Sequence, residues 1–195
     1  MIVSHQNKLV VIGIPKTGSR SFVGSLALDG DFSYHVHSSA VAVKDQFGKV
    51  GGGWDDYYKL AVTRNPWDRY YSLYNFIMKR ADPGSSMTAP VGSVFKNIVE
   101  RAKPQHYFYA DEDGQVILDR VGKFEDLQSE FDGLCDRVGL EGKSLAHLNE
   151  TGFRRALFRD IYDDTDLISL IAEREAPVIR LHGYEFDDSR MAEDW

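Results

Sequence analysis

Two unbroken apolar runs punctuate the chain, and a turn cuts each one short. The first, Lys8 to Ile14 (KLVVIGI), is rich in Val and Ile and runs into Pro15. It predicts a buried strand, since a strand covered on both faces has no polar side to alternate with. Helical spacing follows in SRSFVGSLAL, Ser19 to Leu28. The second run, KLAVTR from Lys59 to Arg64, ends at Asn65-Pro66, and Pro suits the first helical position. The next predicted helix, Trp67 to Lys79, carries Tyr70, Tyr71, Tyr74 and Ile77 at helical spacing. Ser38 or Ser39 is placed to cap a helix through SSAVAVKDQF.

Farther along, FYADEDGQVIL predicts a hairpin turning at Asp113-Gly114. EDLQSEFDGLCDRVGL predicts an amphipathic helix with Leu127, Phe131, Leu134 and Val138 inward, and another helix is expected near Asp163 to Arg174. Gly51, Gly52 and Gly53 mark a turn, and ADPGSSMTAP reads as a loop. Strands alternating with helices predict an α/β fold: three layers, with a central, mainly parallel sheet flanked by helices. No repeat, low-complexity tract or boundary divides the 195 residues, which predicts a single domain over 1–195.

Composition narrows the function classes. The formal net charge of −7 argues against a nucleic-acid binder that works by general phosphate neutralisation, while leaving room for a local basic pocket. A single cysteine, Cys135, excludes an internal disulfide and points to a reducing, cytoplasmic setting. Its place in GLCDRVGL reads as helix packing. The longest apolar run is far too short to cross a bilayer, so a soluble protein without a membrane span is expected.

Candidate chemistry sits directly after each apolar run. Gly13 to Gly18, GIPKTG, has the spacing that opens an ATP-type phosphate loop, but Ser19 and Arg20 follow where such loops place Lys and Ser or Thr. Gly18 allows close backbone approach, the next helix offers free N–H groups, and Lys16 adds a full charge. Thr17, Ser19 and Ser21 add hydroxyls. In AVTRNPWDRYYSLY, Arg64 stands at the end of the second strand, where open α/β sheets bind ligands, and Ser72 lies on the following helix. A forked guanidinium and a hydroxyl suit one phosphate. Arg69 is a further basic candidate or an ion-paired helix residue. Two sites after two strands point to a nucleotide carrying phosphates at two separated places.

IPKTGSRSF and VTRNPWDRYYSLY resemble the 5′-phosphosulfate loop and the 3′-phosphate segment of sulfotransferases that use 3′-phosphoadenosine 5′-phosphosulfate (PAPS). The likeness continues through KPQHYFYADEDGQVILDRVGKFEDLQSEFDGLCDRVGL, LAHLNET, YDDTDLI and HGYEF, which resemble the carbohydrate (chondroitin and dermatan) branch and its soluble bacterial or viral relatives. It spans about Lys8 to Phe186. The resemblance implies a P-loop-like fold, PAPS as donor, 3′,5′-ADP as product and no metal. The acceptor it implies is a carbohydrate or other hydroxyl compound. It assigns Pro15, Lys16, Thr17, Gly18, Ser19, Arg20 and Ser21 to the 5′ side, and Arg64 and Ser72 to the 3′-phosphate. Arg20 departs from the family, which has Thr there. Lys16 is expected to stabilise charge on the leaving oxygen. Of His35 and His37 in SYHVHSSA, the family pattern favours His37 as the base, with Glu125 and Asp55 in reserve. A P-loop nucleotide kinase or NTPase and a non-catalytic nucleotide-binding module are the competing readings.

Overall fold

The computed structural model describes residues 1–26, 37–49, 53–80, 90–140, 142–146 and 155–187. His35, Gly51, Gly52 and the 81–89 part of the ADPGSSMTAP loop lie outside them. In chain order the elements begin with β1 (Ile2–Ser4), β2 (Leu9–Ile12), α1 (Ser19–Leu26), α2 (Ala40–Lys49) and β3 (Tyr58–Thr63). They continue with α3 (Pro66–Met78), α4 (Val91–Arg101), α5 (His106–Tyr109), β4 (Arg120–Lys123) and α6 (Leu127–Val138). The last three helices are α7 (Arg155–Tyr162), α8 (Thr165–Arg174) and α9 (Ala176–His182).

The chain forms two compact units: residues 1–64 with 105–149, and residues 65–104 with 150–195. The first unit holds a four-stranded sheet in the order β1-β2-β3-β4. β2, β3 and β4 run parallel, and β1 pairs antiparallel with β2 at the edge. Alternation along the two apolar runs sends side chains to both faces of the sheet. Val10, Ile12 and Ala61 pack with Ala40, Val43 and Phe47 of α2 and Phe108 and Tyr109 of α5. Leu9, Val11, Leu60 and Val62 pack on the other face with Phe22, Val23 and Leu26 of α1 and Phe131 and Leu134 of α6. Phe22 and Phe131 meet edge to face at 5.3 Å between ring centroids. Helices therefore cover both faces of the sheet, as the uninterrupted apolar runs require.

Cys135 sits in the second of these clusters, and burial pushes its thiol up from the ordinary value. It is a packing residue, as its helix context predicts. Ser39 caps α2, with the Ala42 N–H donating to its Oγ at 3.2 Å. The expected hairpin is corrected. Phe108 and Tyr109 both pack into the cluster on one face of the sheet, whereas adjacent residues of a strand point to opposite faces. The HYFY stretch therefore winds into α5, and only the bridge Ala110–Val116 closes the turn. The turn itself is as predicted: Gly114 has φ 77°, and the Asp111 carboxylate accepts the N–H groups of Asp113 and Gln115.

The second unit is helical. Asn65 caps α3, accepting the Trp67 N–H, and Pro66 occupies the first turn. Its core is aromatic: Trp67, Tyr70, Tyr71, Tyr74, Phe95, Phe158 and Tyr162 pack with Val99, Ile161, Leu167 and Ile171. The polar edges of these rings find partners. The Tyr162 hydroxyl donates to the Trp67 carbonyl at 2.7 Å, and the Trp67 indole donates to the Ile168 carbonyl at 3.1 Å. Arg69 is wholly enclosed here. Its Nη1 pairs with Glu175 Oε1 at 2.8 Å, and its Nη2 donates to the Lys103 carbonyl at 2.9 Å. Both partners of the ion pair are at most 1% exposed, so Arg69 is an ion-paired structural residue.

Removing one member of such a pair strands the other charge away from water. Glu175→Ala is expected to lower stability by about 3–5 kcal/mol in denaturant unfolding. Joint replacement by Arg69→Met and Glu175→Leu is expected to recover most of it, because the buried charge is then gone. An unchanged midpoint in Glu175→Ala would contradict this account of the helical unit.

Candidate active site

The loop after β2 is built around one buried carbonyl. Ile14 is fully enclosed, and its C=O accepts the hydroxyls of Thr17 at 3.0 Å and Ser19 at 3.3 Å. A buried carbonyl without such partners costs free energy, so the two hydroxyls fix the path of the chain. Lys16 and Gly18 both have φ 71°, while Thr17 between them does not enter the left-handed region. Left-handed residues alternating with ordinary ones turn successive backbone N–H groups toward one concavity, an arrangement that suits an anion. α1 starts at once, with the Phe22 N–H donating to the Gly18 carbonyl at 3.0 Å. The N–H groups of a first helical turn have no carbonyl four residues back and face the same end.

Gly18 is needed twice over. Its φ lies where L residues are strained, and a Cβ there would fall 2.9 Å from both the Phe124 ring and Leu127 Cδ2. Its missing side chain thus gives room to the segment after β4. Gly13 is similarly confined, and its carbonyl accepts the His37 Nδ1–H at 2.8 Å. His37 itself has φ 62° and an exposed side chain. A carbonyl only accepts, so Nδ1 carries a proton there, and in the neutral ring the lone pair is on Nε2.

Arg64 follows β3 at the carboxyl ends of the parallel strands. Its guanidinium lies over the Phe124 ring, 4.3 Å from the centroid, and its Nη1 donates to the Lys16 carbonyl at the long distance of 3.4 Å. Its backbone is held by Gln105. The Arg64 N–H donates to Gln105 Oε1 at 2.8 Å, and Gln105 Nε2 donates to the Arg64 carbonyl at 2.9 Å. A loop carrying Lys16 and a strand end carrying Arg64 thus meet through one carbonyl. The loop and the strand end thereby bring two basic residues into one region of a chain whose net charge is −7.

The predicted residues divide by place. Pro15, Lys16, Thr17, Gly18, Ser19, Ser21, His37 and Arg64 belong to the first unit, around the loop and the strand end it meets. Pro15 and Lys16 are half-buried, Ser21 is buried in α1, and Arg20 is exposed. Ser72 is buried on α3, in the helical unit. Glu125 is exposed just after β4, whereas Asp55 lies before β3, at the opposite edge of the sheet. That edge carries an open depression of about 520 Å³, lined by Lys8, Asp55, Tyr58, Asp119 and Arg137 among others. Sequence reasoning missed Gln105 and Phe124 as parts of the site. Phe124 follows β4, a strand the sequence does not announce, and no local signal marks Gln105.

Gly18→Ala combines a strained φ with a clash against Phe124 and Leu127. It is expected to cost about 1–3 kcal/mol of stability, read as a lower unfolding midpoint. Gly114→Ala has an equally unfavourable φ but open space around it, and it should cost less. Equal losses at the two positions would show that the packing of Gly18 carries nothing.

A model described as the sulfotransferase family matches residues 1–107, more than half of the chain. The matched segment holds the loop, His37, Arg64, Ser72 and Gln105. Comparison with curated proteins and with solved structures gave no match. No helix among the described residues is long and apolar enough to cross a membrane. A strand, an anion-suited loop that turns into a helix, and an arginine at the next strand end lie in the matched region, in the expected order; this chain belongs to the sulfotransferase family.

Proposed function

We propose that the chain moves a sulfuryl group from PAPS to an acceptor hydroxyl, on a carbohydrate or a small alcohol, and releases 3′,5′-ADP. The observation that carries this reading is the junction at Lys16. Its backbone forms the anion-suited turn, and its carbonyl receives the guanidinium of Arg64. Two cationic elements with separate supports suit a nucleotide with two separated anionic groups better than one carrying a single phosphate chain. The reading treats residues 1–195 as one sulfotransferase domain with a P-loop-like sheet.

Bound PAPS would supply an activated sulfuryl group on a stable phosphate leaving group, so no metal is needed. The backbone N–H groups from Lys16 to Ser19 receive the 5′-phosphosulfate, with Pro15 entering the turn. Lys16 stabilises the charge growing on the bridging oxygen. Thr17 and Ser19 contribute through their N–H groups, since both hydroxyls brace Ile14. Arg20 and Ser21 take part through the first turn of α1. Arg64 binds the 3′-phosphate, and Ser72 joins it on the resemblance of VTRNPWDRYYSLY alone. His37 takes the acceptor proton on Nε2 as the new S–O bond forms, oriented by its Nδ1 bond to Gly13. The resemblance of the second half of the chain favours a carbohydrate acceptor.

Calorimetry tests the donor assignment. The protein is expected to bind 3′,5′-ADP without metal and more tightly than 5′-ADP, with Arg64→Ala weakening 3′,5′-ADP by about 10–100-fold. Preference for Mg²⁺ with 5′-ADP would sink the reading in favour of a nucleotide kinase. Binding of neither ligand by folded protein would favour a non-catalytic module. Once an acceptor is found with ³⁵S-labelled PAPS, His37→Asn is expected to lower kcat by about 10²–10⁴-fold, with 3′,5′-ADP affinity unchanged. An unaltered kcat would pass the role of base to Glu125.

A further inference from the structure

The main chain at Arg64 is held by a side chain where a neighbouring strand would ordinarily hold it. β3 and β4 stay in register up to the pair Thr63–Lys123, and the Thr63 hydroxyl closes that end by donating to the Gly122 carbonyl at 2.9 Å. One residue later, both backbone groups of Arg64 go to the carboxamide of Gln105. An amide offers one acceptor and two donors on a planar group, so it reproduces the paired bonds of a strand neighbour. Gln105 is fully buried, and its own carbonyl accepts the Phe108 N–H that starts α5. The carboxamide is therefore anchored at its base and set by two bonds at its tip. The Phe124 ring supports the guanidinium from below.

From this arrangement we infer that Gln105 is a positioning residue for recognition of the 3′-phosphate. It extends the ladder by one residue and fixes the direction in which the Arg64 side chain leaves the backbone. The inference rests on the reading of Arg64 as the 3′-phosphate residue. It adds that selectivity for a nucleotide carrying that phosphate depends on a buried amide that touches no ligand. A guanidinium is a forked donor whose value to a phosphate depends on its orientation. Loss of the clamp leaves the charge present and the aim uncertain. The 5′ side, built on Ile14, Lys16 and Gly18, does not use Gln105 and keeps its affinity.

The test compares binding of 3′,5′-ADP with binding of 5′-AMP, which lacks the 3′-phosphate, in four proteins: wild type, Arg64→Ala, Gln105→Met and the double variant. Fitted stoichiometry corrects each for its folded fraction. In Gln105→Met the preference for 3′,5′-ADP is expected to fall about tenfold, with 5′-AMP affinity unchanged. The double variant should discriminate no less than Arg64→Ala alone, because the amide acts only through the arginine. Gln105→Asn keeps the amide but is one methylene too short, and it reads the same ratio if Gln105→Met does not fold. Equal weakening of both ligands, or an intact preference in the Gln105 variants, would overturn the inference while leaving the reading of Arg64 in place. A wild type that does not prefer 3′,5′-ADP, or an Arg64→Ala protein that keeps the preference, would remove the reading and the inference together.

Discussion

The closing of the loop on the Ile14 carbonyl is the constraint that the proposed chemistry depends on. A strand buried on both faces must leave the core through a turn, and the last carbonyl before the turn has no strand partner. Thr17 and Ser19 supply that partner from within the loop. Lys16 and Gly18 take left-handed backbone in the same loop, a pattern that suits an anion on the N–H groups between them. Gly18 then lets Phe124 approach, and Phe124 in turn supports Arg64. The anion-suited turn, the packing of the segment after β4 and the stance of the arginine are one connected arrangement.

Long-range electrostatics fit this local construction. The chain carries more acid than base, yet the Arg64 guanidinium reaches the backbone carbonyl of another basic residue, Lys16. Arg69, unlike the half-buried Arg64, is fully enclosed. In the helical unit it is neutralised by Glu175 and bonded to the Lys103 carbonyl, a structural arrangement that leaves it little to offer a ligand.

Much of this was legible in the sequence where one residue type decides the structure. The apolar runs marked β2 and β3, Asn65-Pro66 marked the start of α3, and the pair Ser38-Ser39 marked that of α2, with Ser39 the one that caps it. β1 and β4 were not legible. IVS has strand-favouring residues but is only three long, and RVGK is polar and broken by a glycine, so neither stands out without the strand that pairs with it. The hairpin expectation failed because an aromatic run was read for strand preference, whereas adjacent Phe108 and Tyr109 pack into one cluster, which a helical turn allows and a strand does not. At the site, lysine, histidine and arginine were legible from residue type and from the order of motifs. Their supports were not. The His37 bond to Gly13 spans 24 positions and the Gln105 clamp on Arg64 spans 41, and only the folded chain brings such partners together.

The central claim is that one edge of the sheet holds two separated anionic groups of a nucleotide. The measurement that meets it most directly is a crystal structure of the protein with 3′,5′-ADP. The account predicts the 5′-phosphate on the backbone N–H groups between Lys16 and Ser19, and the 3′-phosphate on the Arg64 guanidinium. A nucleotide bound elsewhere, such as the depression at the opposite edge beside Asp55 and Tyr58, would contradict it. So would a 5′-phosphate on the loop with Arg64 turned away from the 3′-phosphate.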